Sequence, residues 1–282
     1  MSTPVIFFGA SRGCAFYAAL HTLKHTSRTC FLLLRKPDLF QETEEYKSLE
    51  EKQKSRCVII PGDAFKKEDI QRIFEIAGSD CRTVVSSIGM APSQGHFGLP
   101  KLEFACGVQA VFPVKDVCER SMATILDVVG DLHKIDGRKY TFIVVSSMGL
   151  GDEGHKKLVL PLKPYFGMIS VPHRDKEAME VLLCHSAGVP MPREYPEPRL
   201  RLASKLSTMP VGTIDLFLIW PAILLDGKEA PAEKVKELSD ETKAYAINRS
   251  DIGAWIGRLV EKGDEEMKKS PWFGRNVVLA TK

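Results

Sequence analysis

The chain has 282 residues, with 39 Lys and Arg against 36 Asp and Glu, a formal net charge of +3. A hydrophobic share of 44% beside 27% charged residues suits a globular domain with a sizeable core and excludes disorder, collagen and coiled coil. The small positive excess is scattered, which argues against nucleic acid as a partner, and the longest apolar run, 216–225, is interrupted by Pro221 and too short to cross a membrane.

Taken in chain order, strands alternate with helices. The apolar run at 5–8 begins almost at once, leaving no room for a targeting peptide, so a cytoplasmic protein is expected. A helix is predicted over 13–25, a buried strand over 30–34 and a polar surface helix over 41–54. Next come a strand at 58–60, a helix at 68–77 with Ile70, Ile73, Phe74 and Ala77 on one face, and a strand at 83–88. The second half reads as a long helix at 114–132, a strand at 140–145, a helix at 175–185 closed by Gly188, a strand at 214–219, a helix at 252–261 and a strand at 276–280. This alternation predicts a doubly wound α/β parallel sheet flanked by helices, a Rossmann fold, as one domain over 1–282. Ligands then bind beyond the carboxyl ends of the strands. Seven cysteines without a CxxC pair read as reduced, buried thiols, and no metal site is expected.

The first strand runs into Gly9-Ala10-Ser11-Arg12-Gly13-Cys14-Ala15. A dinucleotide pyrophosphate needs a tight turn, close backbone approach and free N–H groups at a helix start. Gly9 suits the turn, Gly13 the approach, and Ala15 the packing of helix on strand. Arg35 and Lys36 follow the second strand, where an acidic residue would bind a ribose 2′-hydroxyl and a basic one a 2′-phosphate. With Arg12 they form an expected anion site, so NADP(H) is favoured over NAD(H), although Asp38 lies close by.

These residues resemble the short-chain dehydrogenase/reductase family. Gly9 to Gly13 looks like its fingerprint, and Gly62-Asp63 after the third strand is similar to its adenine-contacting turn. Ser86-Ser87-Ile88-Gly89 resembles the loop passing the adenosine ribose, with Ser87 and Gly89 as contacts. Ser146-Ser147-Met148-Gly149 ends the fifth strand where the catalytic serine usually stands. Lys176, Glu180, Ser186 and Gly188 resemble the active-site helix, Trp220-Pro221 the turn after the sixth strand, and Arg249-Ser250-Asp251 the start of a late helix. The likeness is nearest to the atypical branch, with NmrA-like proteins and flavin or biliverdin reductases. It implies a reductase of a small organic carbonyl, quinone, flavin-like or activated-alkene substrate.

One departure is sharp. None of the six tyrosines has Lys at the fourth following position, and if Lys176 fills the lysine place, Pro172 stands in the tyrosine place. The usual phenolic proton donor is thus absent. The candidates to replace it are Ser146 and Ser147, which would orient a substrate oxygen, Lys176 on the nicotinamide ribose, His173 as donor and Tyr165 from a lid. Without the tyrosine, two alternatives stay open: an NADP-sensing binding protein of the NmrA-like kind, and a non-redox isomerase or cyclase. Enlarged loops at about 90–113, 149–172 and 189–212 would shape the substrate pocket. The last carries Arg193, Arg199 and Arg201, which suit an acidic substrate or solvated surface charge equally, and reads as a lid, the contacting arm of a homodimer or a surface excursion.

Overall fold

The computed structural model describes residues 3–90, 102–103, 109–158, 163 and 168–281. Its first half contains β1 (Val5–Phe8), α1 (Cys14–His25), β2 (Cys30–Leu34), β3 (Cys57–Pro61), α2 (Lys67–Ala77) and β4 (Thr83–Ser86). Then follow α3 (Val117–Asp136), β5 (Tyr140–Val145), α4 (Gly151–Lys157), α5 (Ser170–Ala187) and β6 (Ile214–Pro221). The chain continues through β7 (Ile223–Leu225), β8 (Val235–Leu238), β9 (Ala246–Asn248), α6 (Arg249–Glu261) and β10 (Asn276–Thr281).

The main sheet has the order β8-β10-β6-β5-β4-β1-β2-β3. Every pairing in it is parallel except β8 with β10. Strands β1, β2, β4 and β5 are buried at every residue, because a parallel sheet is covered on both faces and its strands must be apolar throughout. The strand order reverses direction at β1, between β2 and β4. Right-handed crossovers then send α1 and α2 to opposite faces, and the ligand crevice opens at that switch point.

On one face α6 lies along α1. A Cβ on Gly253 would run into Tyr17 and one on Gly257 into the His21 ring, so these two glycines, four apart, let the helix axes approach closely. On the other face α3 packs between α2 and α5.

Two expectations are corrected by the fold, and the parallel sheet is refined at one edge. The helix predicted over 41–54 is three single turns, Asp38–Gln41, Glu44–Lys47 and Glu51–Lys54. Thr43 and Glu50 each start a new turn, Thr43 accepting from the Tyr46 N–H at 3.3 Å and Glu50 through a capping box with Gln53. The sheet is not wholly parallel, since polar β8 returns antiparallel along its edge. The segment 189–212 is not one long loop: it holds helical turns at Pro196–Arg201 and Ala203–Leu206. Arg201 grips Glu119 of α3 through two bonds of 2.8 and 2.7 Å, and Lys205 bonds Asp127 at 3.1 Å. The segment is therefore an arm docked on α3.

Candidate functional site

At the end of β1 the backbone enters Gly9 with φ +71°, and a Cβ there would lie 2.7 Å from the Ser87 carbonyl carbon and the Ile88 nitrogen. Glycine is thus required for the β1 and β4 loops to touch. Gly13, at φ +80° and ψ −153°, is the N-cap of α1; no side chain caps it, and the first turn of α1 has no acidic residue. The first N–H groups and the positive end of the helix are left for an anion. Arg12, Arg35 and Lys36 are exposed, the last two directly after β2, which pairs in parallel with β1, and Ser11 is half-buried.

Cys14 is buried, and burial pushes its thiol up to about 11, partly offset by the charges of Arg249 and Lys176 and by a hydrogen bond with Ser87. The glycine loop, the β4 loop and Lys176 are therefore neighbours. Asp63 forms a tight turn, its Oδ1 accepting from the Phe65 N–H at 3.0 Å while its own N–H donates to Asp69 at 2.8 Å. Gly89 is exposed at the crevice rim. Ser86 Oγ, at the end of β4, is buried without a hydrogen-bond partner among the described residues. An uncapped helix start, a glycine-only close approach and an orphaned hydroxyl fit a dinucleotide, and Gly9, Ser11, Gly13, Ser87 and Lys176 are the residues that could hold one.

The end of β5 carries the residues expected at the substrate. Ser147 Oγ is 3.4 Å from His173 Nε2 and donates to the Met148 carbonyl at 3.0 Å. Lys176 Nζ donates to the Val145 carbonyl at 3.0 Å, which fixes the ammonium beside the β5 end. His173 is buried, and burial, helped by the charges of Lys176 and His155, drives its imidazole down to about 3, so the ring is neutral. Asp175 accepts the N–H groups of Cys118 at 2.7 Å and Glu119 at 2.9 Å, closing the start of α3 from a different helix and fixing the turn that carries Lys176. Tyr165 lies outside the described residues.

Ser146 points elsewhere. Its hydroxyl donates to buried Glu180, which also takes the Trp220 indole N–H and the Tyr195 hydroxyl, each at 2.8 Å. Arg193, expected to attract an acidic substrate, is instead buried: it pairs with Glu241, donates to the Leu150 carbonyl at 2.9 Å and lies over the Trp220 ring. Glu241 takes the Gly149 N–H at 2.6 Å. Neither Tyr195 nor Glu241 was legible as a site residue, because their partners are 15 to 92 positions away. Two cavities of about 430 and 520 Å³ lie apart from these residues, one bordered by Leu216 and Trp272, the other by Tyr17 and Lys228.

No family model matches the chain. It is 25% identical over 290 residues to the reductase pytE of Aspergillus terreus, covering 99% of this chain and 98% of that protein. It is also 25% identical over 304 residues to the oxidase pynE of Aspergillus niger, covering 92% and 94%. Among solved structures, the anaerobillin reductase ChuY of Escherichia coli O157:H7 superposes with a TM-score of 0.59 at 17% identity, covering 99% of this chain and 97% of that one. A short-chain dehydrogenase/reductase of Veillonella parvula in complex with NADP gives 0.59 at 12% identity, covering 99% and 95%. The fold is that of the Rossmann-type NAD(P)-binding proteins, in keeping with the atypical short-chain dehydrogenase/reductase resemblance. The two curated relatives carry redox names, and the fold is one shared by NAD(P)-binding reductases.

Proposed function

We propose that the protein is an NADPH-dependent reductase of a small, conjugated organic acceptor, a quinone, flavin-like ring or activated alkene rather than an isolated ketone. The observation that carries this reading is the pairing of Pro172 in the tyrosine place with a neutral, buried His173 beside it. Bound NADPH supplies a hydride. Ser147 offers a hydroxyl to the acceptor oxygen, and Lys176 offers positive charge beside it. Reducing an isolated ketone builds a strongly basic alkoxide that needs an acid in place. Reducing a conjugated acceptor spreads the new charge, so a serine hydroxyl, an ammonium and solvent suffice. Arg12, Arg35 and Lys36 select the 2′-phosphate, the arm and α4 border the substrate side, and the reaction needs no metal.

The test is oxidation of NADPH and NADH, followed by loss of reduced-nicotinamide absorbance, against a panel of quinones, flavins, enones, aldehydes and ketones. Turnover with the conjugated acceptors and little with simple ketones is expected; the reverse order overturns the acceptor class. Tight NADPH binding without turnover of any acceptor would favour the sensor, and substrate conversion with constant absorbance the isomerase or cyclase. Arg35→Asp should weaken NADPH by about tenfold, roughly 1.4 kcal/mol, and leave NADH unchanged; equal loss of both overturns the 2′-phosphate assignment.

A further inference from the structure

Glu180 lies one helical turn beyond Lys176 on α5, wholly buried, and takes no part in the chemistry above. Its three donors come from three separate segments. Ser146 directly follows β5, Trp220 belongs to β6, and Tyr195 belongs to the arm docked on α3. We propose that Glu180 is a positioning residue for the reduction: one carboxylate, by gripping Ser146, Trp220 and Tyr195 together, sets the direction in which Ser147 leaves the sheet and pins the arm at the crevice. The proposal rests on the reductase reading of the same site.

The geometry supports this in two ways. The Ser146 N–H still bonds the Ile219 carbonyl at 2.8 Å, so the backbone leaves β5 extended, and successive side chains there point to opposite sides. Ser146 held by Glu180 fixes the backbone from which the next residue, Ser147, reaches His173. Second, the grip continues into the arm. Arg193, two residues before Tyr195, lies with its Cζ 4.3 Å from the Trp220 ring centre and bonds the Leu150 carbonyl, while its partner Glu241 holds the Gly149 N–H. The loop that begins with the two serines is thus held at both ends by residues that sequence separates widely. A buried carboxylate contributes little net stability over an apolar filler of the same volume; what three converging donors provide is fixed direction.

Protonation gives the grip a signature. Burial pushes the Glu180 carboxyl up to about 7, opposed by its three donors and by the charge of Arg193. The groups facing it are Ser146 from β5, Trp220 from β6, Tyr195 and Arg193 from the arm, the latter paired with Glu241, and Cys184 on its own helix. A protonated carboxyl carries a hydrogen of its own, which displaces one of the donors and loosens the grip.

The experiment compares wild type, Glu180→Gln and Tyr195→Phe in steady-state NADPH oxidation with a quinone across pH, alongside NADPH affinity from tryptophan fluorescence. Tyr195→Phe leaves two donors in place and keeps the test open should the glutamine variant fold poorly. Expected are a kcat lowered roughly ten- to a hundredfold in both variants, the range that slight misplacement of reacting groups costs, with NADPH affinity unchanged. The wild-type kcat should rise with pH through one ionisation near 7, and the glutamine variant should lack that step. Wild-type kcat and pH profile in both variants overturn the proposal alone. No NADPH oxidation by the wild type overturns the reductase reading and this role with it, and that result precedes any variant.

Discussion

Asp175 offers the most direct check on how the reacting helix is held. Its two carboxylate oxygens accept the second and third N–H groups of α3, at 2.7 and 2.9 Å, from a residue that sequence separates by more than fifty positions. Asp175→Ala leaves both donors without a partner in a site of 2% exposure. A lost cap costs about 1 kcal/mol, and the fully buried Cys118 donor left unpaired about 1–3 more, while the partly buried Glu119 N–H can turn to water, so roughly 2–4 kcal/mol is expected. For 282 residues unfolding entropy is roughly 0.6 kcal/mol/K, which places the fall in Tm at about 3–7 °C. Asp175→Asn, which keeps one acceptor, should lose about half as much. Differential scanning calorimetry reads both. Because Lys176 is the next residue, the alanine variant should also lose turnover at a temperature where it remains folded. An alanine variant melting within a degree of wild type would refute the cap and the derived placement of Lys176.

Gly9→Ala sets a side chain against the β4 loop at φ +71°, so NADPH binding should weaken at least tenfold by fluorescence titration while far-ultraviolet circular dichroism is retained. Gly257→Val drives a side chain into the His21 ring at the contact of α1 and α6; a loss of about 1–3 kcal/mol is expected from the denaturation midpoint. His173 has a folded pKa of about 3 against 6.5 ordinarily, so its unfolded form binds protons that the folded form refuses. Its contribution to stability is complete above about pH 6.5 and is lost as pH falls toward 3, and that slope in Tm should flatten in His173→Gln.

The main strands were legible because their apolar runs are continuous and end in Gly, Ser or Arg-Lys turns. Strand β8 escaped notice because Val235-Lys236-Glu237-Leu238 is half polar and sits at a sheet edge, where one face meets water. The pair β7 and β9 is three residues each, below the length at which periodicity carries information. At the site, the glycine loop could be read from its spacing between a strand and a helix, and Lys176 from the resemblance of its segment to the family's active-site helix. Ser146 and Ser147 look interchangeable in sequence, and only the partner across the fold, Glu180 for one and His173 for the other, separates them. Arg193 was misread for the same reason: an arginine in a proline-rich stretch looks solvated until its carboxylate, Glu241, is found 48 positions away.

The contact of α1 with α6 ties the two ends of the sequence into one cooperative unit. Opening of α6 removes the surface on which α1 rests, and α1 carries the first N–H groups of the anion cradle. Backbone amides of residues 14–25 and 249–261 should therefore exchange with solvent hydrogen together, with a common opening free energy. A nucleotide captured at the glycine loop at free concentration L would slow exchange in both segments by RT ln(1 + L/Kd), so occupancy would be reported along α6 as well as α1. In a cell, the same linkage would make the supply of reduced nucleotide a determinant of how long the protein survives proteolysis.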